Sequence, residues 1–572
     1  MTYLVNDPKQ FAADSLTGMV AANEDYLTEV HGGVTRATDS PQGEVAVIVG
    51  GGSGHYPAFA GWVGPGMAHG AVCGNIFASP SASQVESVVR ASDHGGGAVL
   101  LFGNYAGDRL QFGAAQSPLG ADGIDTRIVT ISDDIASDTP QNWKDRRGIA
   151  GDLFVVKAAC AAAAAGRDLD AVEAAANKAN EATRSMGVAF TGCTLPGADE
   201  PLFTVPEGEY ALGLGIHGEP GISSHKMDTA EGIATLLVER VLAEEPARTA
   251  GGYDGRVAVL VNGLGATKYE ELFVLYGTVK KLLTEHGLTI VHPIVGEQVT
   301  SLDMAGVSLS LMYLDPDLEE LWLAPGDSPA YKTGSVTAGQ RREVVAHDEK
   351  VAIRAGSPES AAQAEELLPL LQALADMSSA NEASLGKLDS IAGDGDHGQG
   401  MVLGSTAALK AAKQAVAAHA GTSTLFDVAG AAWSEGAGGT SGALWGAALR
   451  ELGTMLSDDQ AATDDRLGRA AIAAARRFAQ LGEARPGDKT MVDATAPFAD
   501  ELTARLDAGD DLATAWAAAA KAATKGAEST ADMVARKGRA RTHGTASLGH
   551  QDPGAVSFAL LMSGLADRLA NS

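Results

Sequence analysis

Short apolar runs that end in glycine and polar clusters alternate with helical periodicities through the first half of the chain, the pattern of an α/β sheet. Val45-Ala46-Val47-Ile48-Val49 reads as a buried strand, and it empties into Gly50-Gly51-Gly52-Ser53-Gly54-His55-Tyr56-Pro57. Ala98 to Phe102 repeats the plan and ends in Gly103-Asn104-Tyr105-Ala106-Gly107-Asp108, and Arg127 to Ile131 delivers Ser132-Asp133-Asp134. Polar side chains at successive strand ends gather on one rim, where open α/β sheets bind ligands. Leu153 to about Met186 is an alanine-rich helical stretch broken near Gly166. A second α/β unit starts at Val188: Tyr210 to Ile216 alternates as a strand and presents His217, Asp228 to Glu244 is an amphipathic helix, and Arg256 to Val261 and Thr289 to Val295 are further strands.

The pattern changes after Trp322. Residues 324–358 hold Pro-Gly-Asp-Ser-Pro and scattered charge without periodicity, and they read as a linker. Beyond them the periodicity is helical almost throughout, in eight segments: Glu359 to Met377, Gln399 to His419, Thr424 to Gly436, Ala443 to Met455, Asp464 to Leu481, Asp493 to Leu506, Leu512 to Met533 and Pro553 to Leu569. The expected organisation is therefore two α/β units, 1–187 and 188–323, the linker 324–358, and an all-α domain, 359–572.

Composition narrows the partners. With 572 residues the chain is too long for one core, and a net charge of −30 argues against nucleic acid or an anionic membrane surface. Three cysteines, Cys73, Cys160 and Cys193, have neither zinc-ligand spacing nor a disulfide framework. No window is long and apolar enough to span a membrane and the start lacks a signal peptide, so the expected compartment is the cytoplasm.

The candidate chemistry lies in the loops. Asp389, Asp394 and Asp396, with glycines between them, crowd three carboxylates that would repel one another unless a cation sat among them; an oxygen-only set favours magnesium or calcium, and magnesium is the one that usually holds nucleotide phosphates. His397 flanks them, either touching a phosphate or capping a helix. Gly438-Gly439-Thr440-Ser441-Gly442 offers amides and hydroxyls ahead of a helix, a phosphate-binding arrangement. Arg485 to Asp493, with Asp488 and the apolar Met491, and Asp552-Pro553-Gly554 complete a nucleotide site. No Walker lysine motif is present, so this is not a P-loop enzyme. In the α/β half the reactive candidates are His55, Asp108 and His217. An exposed imidazole between glycines can add to a ketone carbon, and a carboxylate can take the proton from a hydroxyl as phosphorus arrives.

Gly50 to His55 with Pro57, Ile76-Phe77-Ala78-Ser79-Pro80, Asn104-Tyr105 with Gly107-Asp108, and Gly215-Ile216-His217-Gly218-Glu219-Pro220-Gly221 resemble the substrate half of the dihydroxyacetone kinases. Asp389 with Gly393 to Gly398, Gly438 to Gly442, Gly487 to Asp493 and Asp552-Pro553-Gly554 resemble their nucleotide half, a barrel-like set of eight helices. The resemblance implies a homodimeric, ATP-dependent ketose kinase in which His217 holds the ketose as a hemiaminal, Asp108 is the base and His55 binds substrate. It also implies that Gly51, Gly52, Ser53 and Ser79 line the pocket with Asn104 nearby, and that the three aspartates bind two magnesium ions. Fusion of the halves points to direct use of ATP rather than a phosphoenolpyruvate relay.

The sequence departs from the family pattern near the ketose. Tyr56 and Phe59 stand where Glu and His are usual, Gly103 replaces a frequent lysine, and Gly538 to Gly544 reads Gly-Arg-Ala-Arg-Thr-His-Gly. The early changes remove charge and add apolar surface around the pocket. Erythrulose, or a branched ketopentose such as apulose, thereby joins dihydroxyacetone as a candidate substrate. A flavin-nucleotide cyclase of the lyase type, needing only the helical domain, and a non-catalytic regulator are the alternatives from other classes.

Overall fold

The computed structural model describes residues 4–570 apart from 220, 337–338, 341–350, 392, 539–540 and 542–546. Pro220, the middle of the expected linker, and Arg539, Ala540, Thr542, His543 and Gly544 of the altered motif lie outside the described residues. The chain divides into two compact units, Met1–Glu349 and Lys350–Ser572.

The first unit is built on two large sheets and a two-stranded one, Gly326–Asp327 paired with Lys332–Thr333, so the start of the stretch expected as a linker is ordered, with Ser328 and Tyr331 buried. Strands β1 (Leu27–Val30), β2 (Gly33–Arg36), β3 (Ala46–Ser53), β4 (Gly70–Ile76), β5 (Ala98–Gly103) and β6 (Thr126–Ile131) form the first, in the order β1-β2-β4-β3-β5-β6. Its centre is parallel, β3 pairing with β4 and β5 and β5 with β6. Strands buried on both faces need no alternation, and Ala46, Val47, Ile48 and Val49 are all fully buried.

The second sheet comprises β7 (Thr183–Ala189), β8 (Glu209–Leu212), β9 (Ser223–Lys226), β10 (Arg256–Gly263), β11 (Thr289–Ile290), β12 (Ile294–Gly296) and β13 (Gly306–Leu314), ordered β11-β10-β13-β7-β8-β9 with β12 beside β10. Its central strand, β13, is buried along its whole length. The strand expected over 210–216 stops at Leu212, because Gly213 turns into the left-handed region (φ 74°) and starts the loop that carries His217. The run 289–295 breaks into two short strands at His292, whose φ is 46°. The alanine-rich stretch forms two helices, Asp152–Ala164 and Leu169–Ala182, separated by Gly166. From Asp152 to Ala163 every residue of the first is buried, in a core shared with Val47, Val49, Val99 and Leu101 of one sheet and Ala258, Leu260 and Met312 of the other. Alanine there lets backbone and sheets approach closely.

The second unit has nine α-helices among the described residues, from Pro358–Ala380 to Pro553–Leu569. The one without an apolar periodicity in the sequence is Glu382–Asp389, a short helix that ends on Asp389 itself. Its neighbour His397–Ala417 starts immediately after Asp396. Trp433 and Trp445 stack at 5.1 Å between ring centroids in the core, and Phe478 and Phe558 close on Trp445. Beside them lies an apolar cavity of about 150 Å³, lined among others by Leu371, Leu374, Phe426, Trp445 and Leu565.

Candidate active site

In the first unit, β3 ends at Ser53 and Gly54 (φ 102°) swings the chain so that His55 follows the strand directly. His217 arrives from the loop after β8, and the two imidazoles meet with Nε2 facing Nε2 at 3.0 Å. Both are buried, at 1% and 7% exposure. The pair is enclosed by aromatic faces: Phe77 stacks on His55 at 4.9 Å, and Tyr105 presents an edge to His217 at 4.6 Å between centroids. His55 Nδ1 reaches the Thr300 carbonyl at 2.7 Å, and His217 Nδ1 reaches Glu219 Oε1 at 3.3 Å. Glu219 fits only because residue 215 is glycine, since a Cβ there would collide with its carboxylate. Behind Glu219 stands Arg147 at 3.9 Å, itself bonded to Asp134 at 2.7 Å.

The remaining expected residues distribute unevenly around this pair. Asp108 is buried in the first turn of the helix Ala106–Ala121, one turn beyond Tyr105. Ser79 is buried, and Ser53 donates to the Gly74 carbonyl at 2.7 Å. Asn104 spends both amide protons on the carbonyls of Lys144 and Arg146, so its side chain holds that loop in place. Phe59 is buried over the backbone of Gly51 and against Trp62, whereas Tyr56 is 52% exposed. Gly52 abuts the Phe77-Ala78 backbone.

In the second unit, four loops converge. Asp389, Asp394 and Asp396 bring carboxylate oxygens within 4.8 Å of one another. Burial, and then the charge of Asp389, pushes the Asp396 carboxyl up to about 7. His397 ties the loops together: its backbone N–H donates to Asp389, its Nδ1 lies 3.2 Å from Ser441 Oγ and its Nε2 lies 2.9 Å from Ser557 Oγ. Burial lowers the pKa of its ring. Gly438 and Gly439, both at positive φ (60° and 58°), turn the chain into the helix Gly439–Met455, whose first turn carries Thr440, Ser441 and Gly442. Asp493 accepts from the amides of Gly487 and Thr490 and shapes the third loop, while Asp488 accepts from the exposed Arg485 amide. Met491 packs against Gly554, next to Pro553. Asp552 caps the last helix through the Ala555 amide at 2.7 Å, and burial raises its carboxyl to about 7.

A Dak1 domain model matches residues 17–330 and a DAK2 domain model matches residues 391–567. The chain is 54% identical over 571 residues to an L-erythrulose 1-kinase of Mycolicibacterium smegmatis, covering 100% of both chains. It is 50% identical over 565 residues to an L-erythrulose kinase of Pectobacterium atrosepticum, covering 98% of this chain and 95% of the other. Among solved structures, the dihydroxyacetone kinase from C. freundii in complex with AMP-PNP and Mg2+ covers 99% of each chain at 29% identity, with a TM-score of 0.53. The chain belongs to the dihydroxyacetone kinase family.

For a member of the dihydroxyacetone kinase family, the acidic cluster fits a hard divalent cation: it offers oxygen donors only, two of its three residues are buried, and burial followed by the Asp389 charge raises Asp396. Several residues of the candidate site escape sequence patterning. Thr300 acts through its carbonyl, which no side-chain pattern marks. Arg147 and Asp134 lie far from His217 in sequence. Lys489 is buried and donates to the carbonyls of Met533, Ser547 and His550 at 3.1, 2.5 and 2.8 Å, which joins the third loop to the segment before Asp552.

Proposed function

We propose that this chain is an ATP- and magnesium-dependent kinase of short ketoses, with erythrulose as its substrate, and that His217 holds the ketose as a hemiaminal while a terminal hydroxyl is phosphorylated. The observation that carries the reading is the buried imidazole pair, His55 against His217 at 3.0 Å, set among aromatic faces at strand ends. A ketone is the electrophile that an imidazole nitrogen can trap reversibly without an acyl leaving group. Capture there fixes the sugar, so that phosphoryl transfer becomes largely a matter of positioning. Asp108 serves as the base for the hydroxyl, and Ser53, Ser79 and the Gly51-Gly52 backbone line the pocket. Asp389, Asp394 and Asp396 would hold magnesium, which would supply neutralisation of the phosphate charge of ATP. The amides and hydroxyls of Gly439 to Gly442 bind the phosphates, and Met491 with Gly554 offers an apolar face to the purine.

The four-carbon sugar is preferred over the three-carbon one for two reasons. The related kinases at 54% and 50% identity are named for erythrulose. Phe59, buried over Gly51, stands where the family pattern has a charged or polar side chain, and this change beside the pocket backbone supports a ketose other than the triose. A coupled assay of ADP release over dihydroxyacetone, both erythrulose enantiomers, apulose and glycerol tests this directly. The highest kcat/KM is expected with an erythrulose enantiomer, and higher turnover of apulose would move the assignment to the branched sugar. His217→Ala is expected to lose at least about 10²-fold in kcat/KM for ketoses. Normal ketose turnover by that variant would remove the covalent role.

A further inference from the structure

Each imidazole of the His55–His217 pair is tied, on its far side, to a group that accepts hydrogen bonds. His55 Nδ1 lies 2.7 Å from the carbonyl oxygen of Thr300, and since a carbonyl has no proton to give, this nitrogen carries one. His217 Nδ1 faces Glu219 Oε1 at 3.3 Å, and the other carboxylate oxygen takes the backbone N–H of His217 at 3.0 Å. Arg147, 3.9 Å from Glu219, favours the ionised carboxylate, so His217 Nδ1 is protonated as well. Were both rings neutral, two Nε2 lone pairs would then oppose each other across 3.0 Å in a buried site. One proton between them converts that repulsion into a charge-assisted hydrogen bond.

We infer that the substrate-free site holds a single proton shared between His55 Nε2 and His217 Nε2, and that Glu219 is the positioning residue that fixes this tautomer and balances its charge. The catalytic consequence rests on the hemiaminal reading of His217, whereas the shared proton requires no substrate. The shared-proton state contains both reagents that addition to a ketone needs. The His217 Nε2 lone pair forms the bond to the carbonyl carbon, the C=O π bond breaks, and its oxygen takes the proton left on His55. His55 ends neutral and His217 ends as an N-substituted imidazolium. The positive charge has thus moved from one ring to the other, and it comes to rest on the ring that faces Glu219.

Other charged and titratable groups set the field around the pair. Arg147 and Asp134 lie behind Glu219, and Tyr105 edges His217. The charge of Asp152 reaches Tyr105, that of Asp108 reaches Asp152, and that of Glu219 reaches Cys193. Adding a second proton to the pair abolishes the nucleophile, and removing the shared one abolishes the acid, so ketose capture should peak between those two events.

Nitrogen-15 NMR of the full chain with labelled histidine, without substrate, tests the resting state, with signals assigned through His55→Asn and His217→Asn. Two protonated Nδ1 nitrogens and one proton bridging the Nε2 nitrogens at neutral pH are expected, and two neutral rings would overturn the inference. Glu219→Gln tests the positioning role through the pH dependence of kcat/KM for L-erythrulose at saturating ATP. Loss of the carboxylate weakens the hold of the pair on its proton, so the high-pH limb should move toward lower pH by about one unit or more. Glu219→Asp, which keeps the charge, should return the limb toward its wild-type position. A uniform fall in rate with an unmoved limb would reduce Glu219 to a framework residue and overturn its assigned role. Carbon-13 NMR of L-erythrulose labelled at the carbonyl carbon separates the two claims: a bridging proton with no tetrahedral carbon leaves this inference standing and removes the hemiaminal.

Discussion

Asp389, Asp394 and Asp396 show how a residue-scale function can be read from spacing, because carboxylates separated by glycine have few reasons to crowd except a cation. Asp394→Ala is expected to lower phosphoryl transfer by about 10²–10³-fold while leaving the carbonyl carbon of erythrulose convertible to its tetrahedral form. Unchanged magnesium-dependent turnover would contradict that assignment. His397 was legible as a residue flanking the cluster, and the pairing of its ring with two serines was not. Its ring nitrogens lie 3.2 Å from Ser441 Oγ and 2.9 Å from Ser557 Oγ, which links three loops. Lys157 was not legible at all, since one lysine within an alanine-rich run looks like a solvent-facing position. It is fully buried, donates to the Leu321 carbonyl at 3.1 Å, and burial lowers its pKa from 10.5 to about 8. Between about pH 8 and 10.5 the folded protein has already released a proton that the unfolded chain retains, so stability gains with rising pH across that window. Lys157→Met should remove that gain and, at neutral pH, stabilise the chain by about 1–2 kcal/mol, the relief of the buried charge outweighing the lost bond. Denaturant titrations at pH 7 and pH 9 on both proteins measure it.

At the scale of elements, the strands β3, β5 and β6 were visible because their apolar runs stop abruptly at glycine or at a polar cluster. β13 was not recognised: its serines alternate with apolar residues as if one face were solvated, yet Ser308 and Ser310 are buried and satisfied by Asn262 and Ser185. The helix Glu382–Asp389 was missed for a different reason, its few apolar positions and Gly386 giving no stripe to detect. Glycines, by contrast, marked a true constraint at Gly438, whose φ of 60° and ψ of −162° no side chain adopts comfortably. Gly438→Ala should cost about 1–3 kcal/mol of stability and misdirect the amides that open the helix Gly439–Met455. A raised KM for ATP with KM for ketose unchanged is the expected signature, read from initial rates with each substrate varied in turn.

For the whole molecule, the change in periodicity after Trp322 signalled two kinds of architecture, and contact within the chain separates Met1–Glu349 from Lys350–Ser572. Units with their own cores need not unfold together. Scanning calorimetry should therefore resolve two transitions, ketose raising one and magnesium with a non-hydrolysable ATP analogue raising the other, each by linkage to its own unit. A single transition that both ligands shift equally would show the units to be thermodynamically fused. The void beside Trp445 adds an asymmetry between them. Its walls present almost nothing for water to bond, so solvent gains little by entering it. Unfolding the C-terminal unit should therefore release poorly hydrated space and shrink the total volume, so hydrostatic pressure is expected to weaken ATP-analogue binding before ketose binding, as titrations of each ligand under pressure would show.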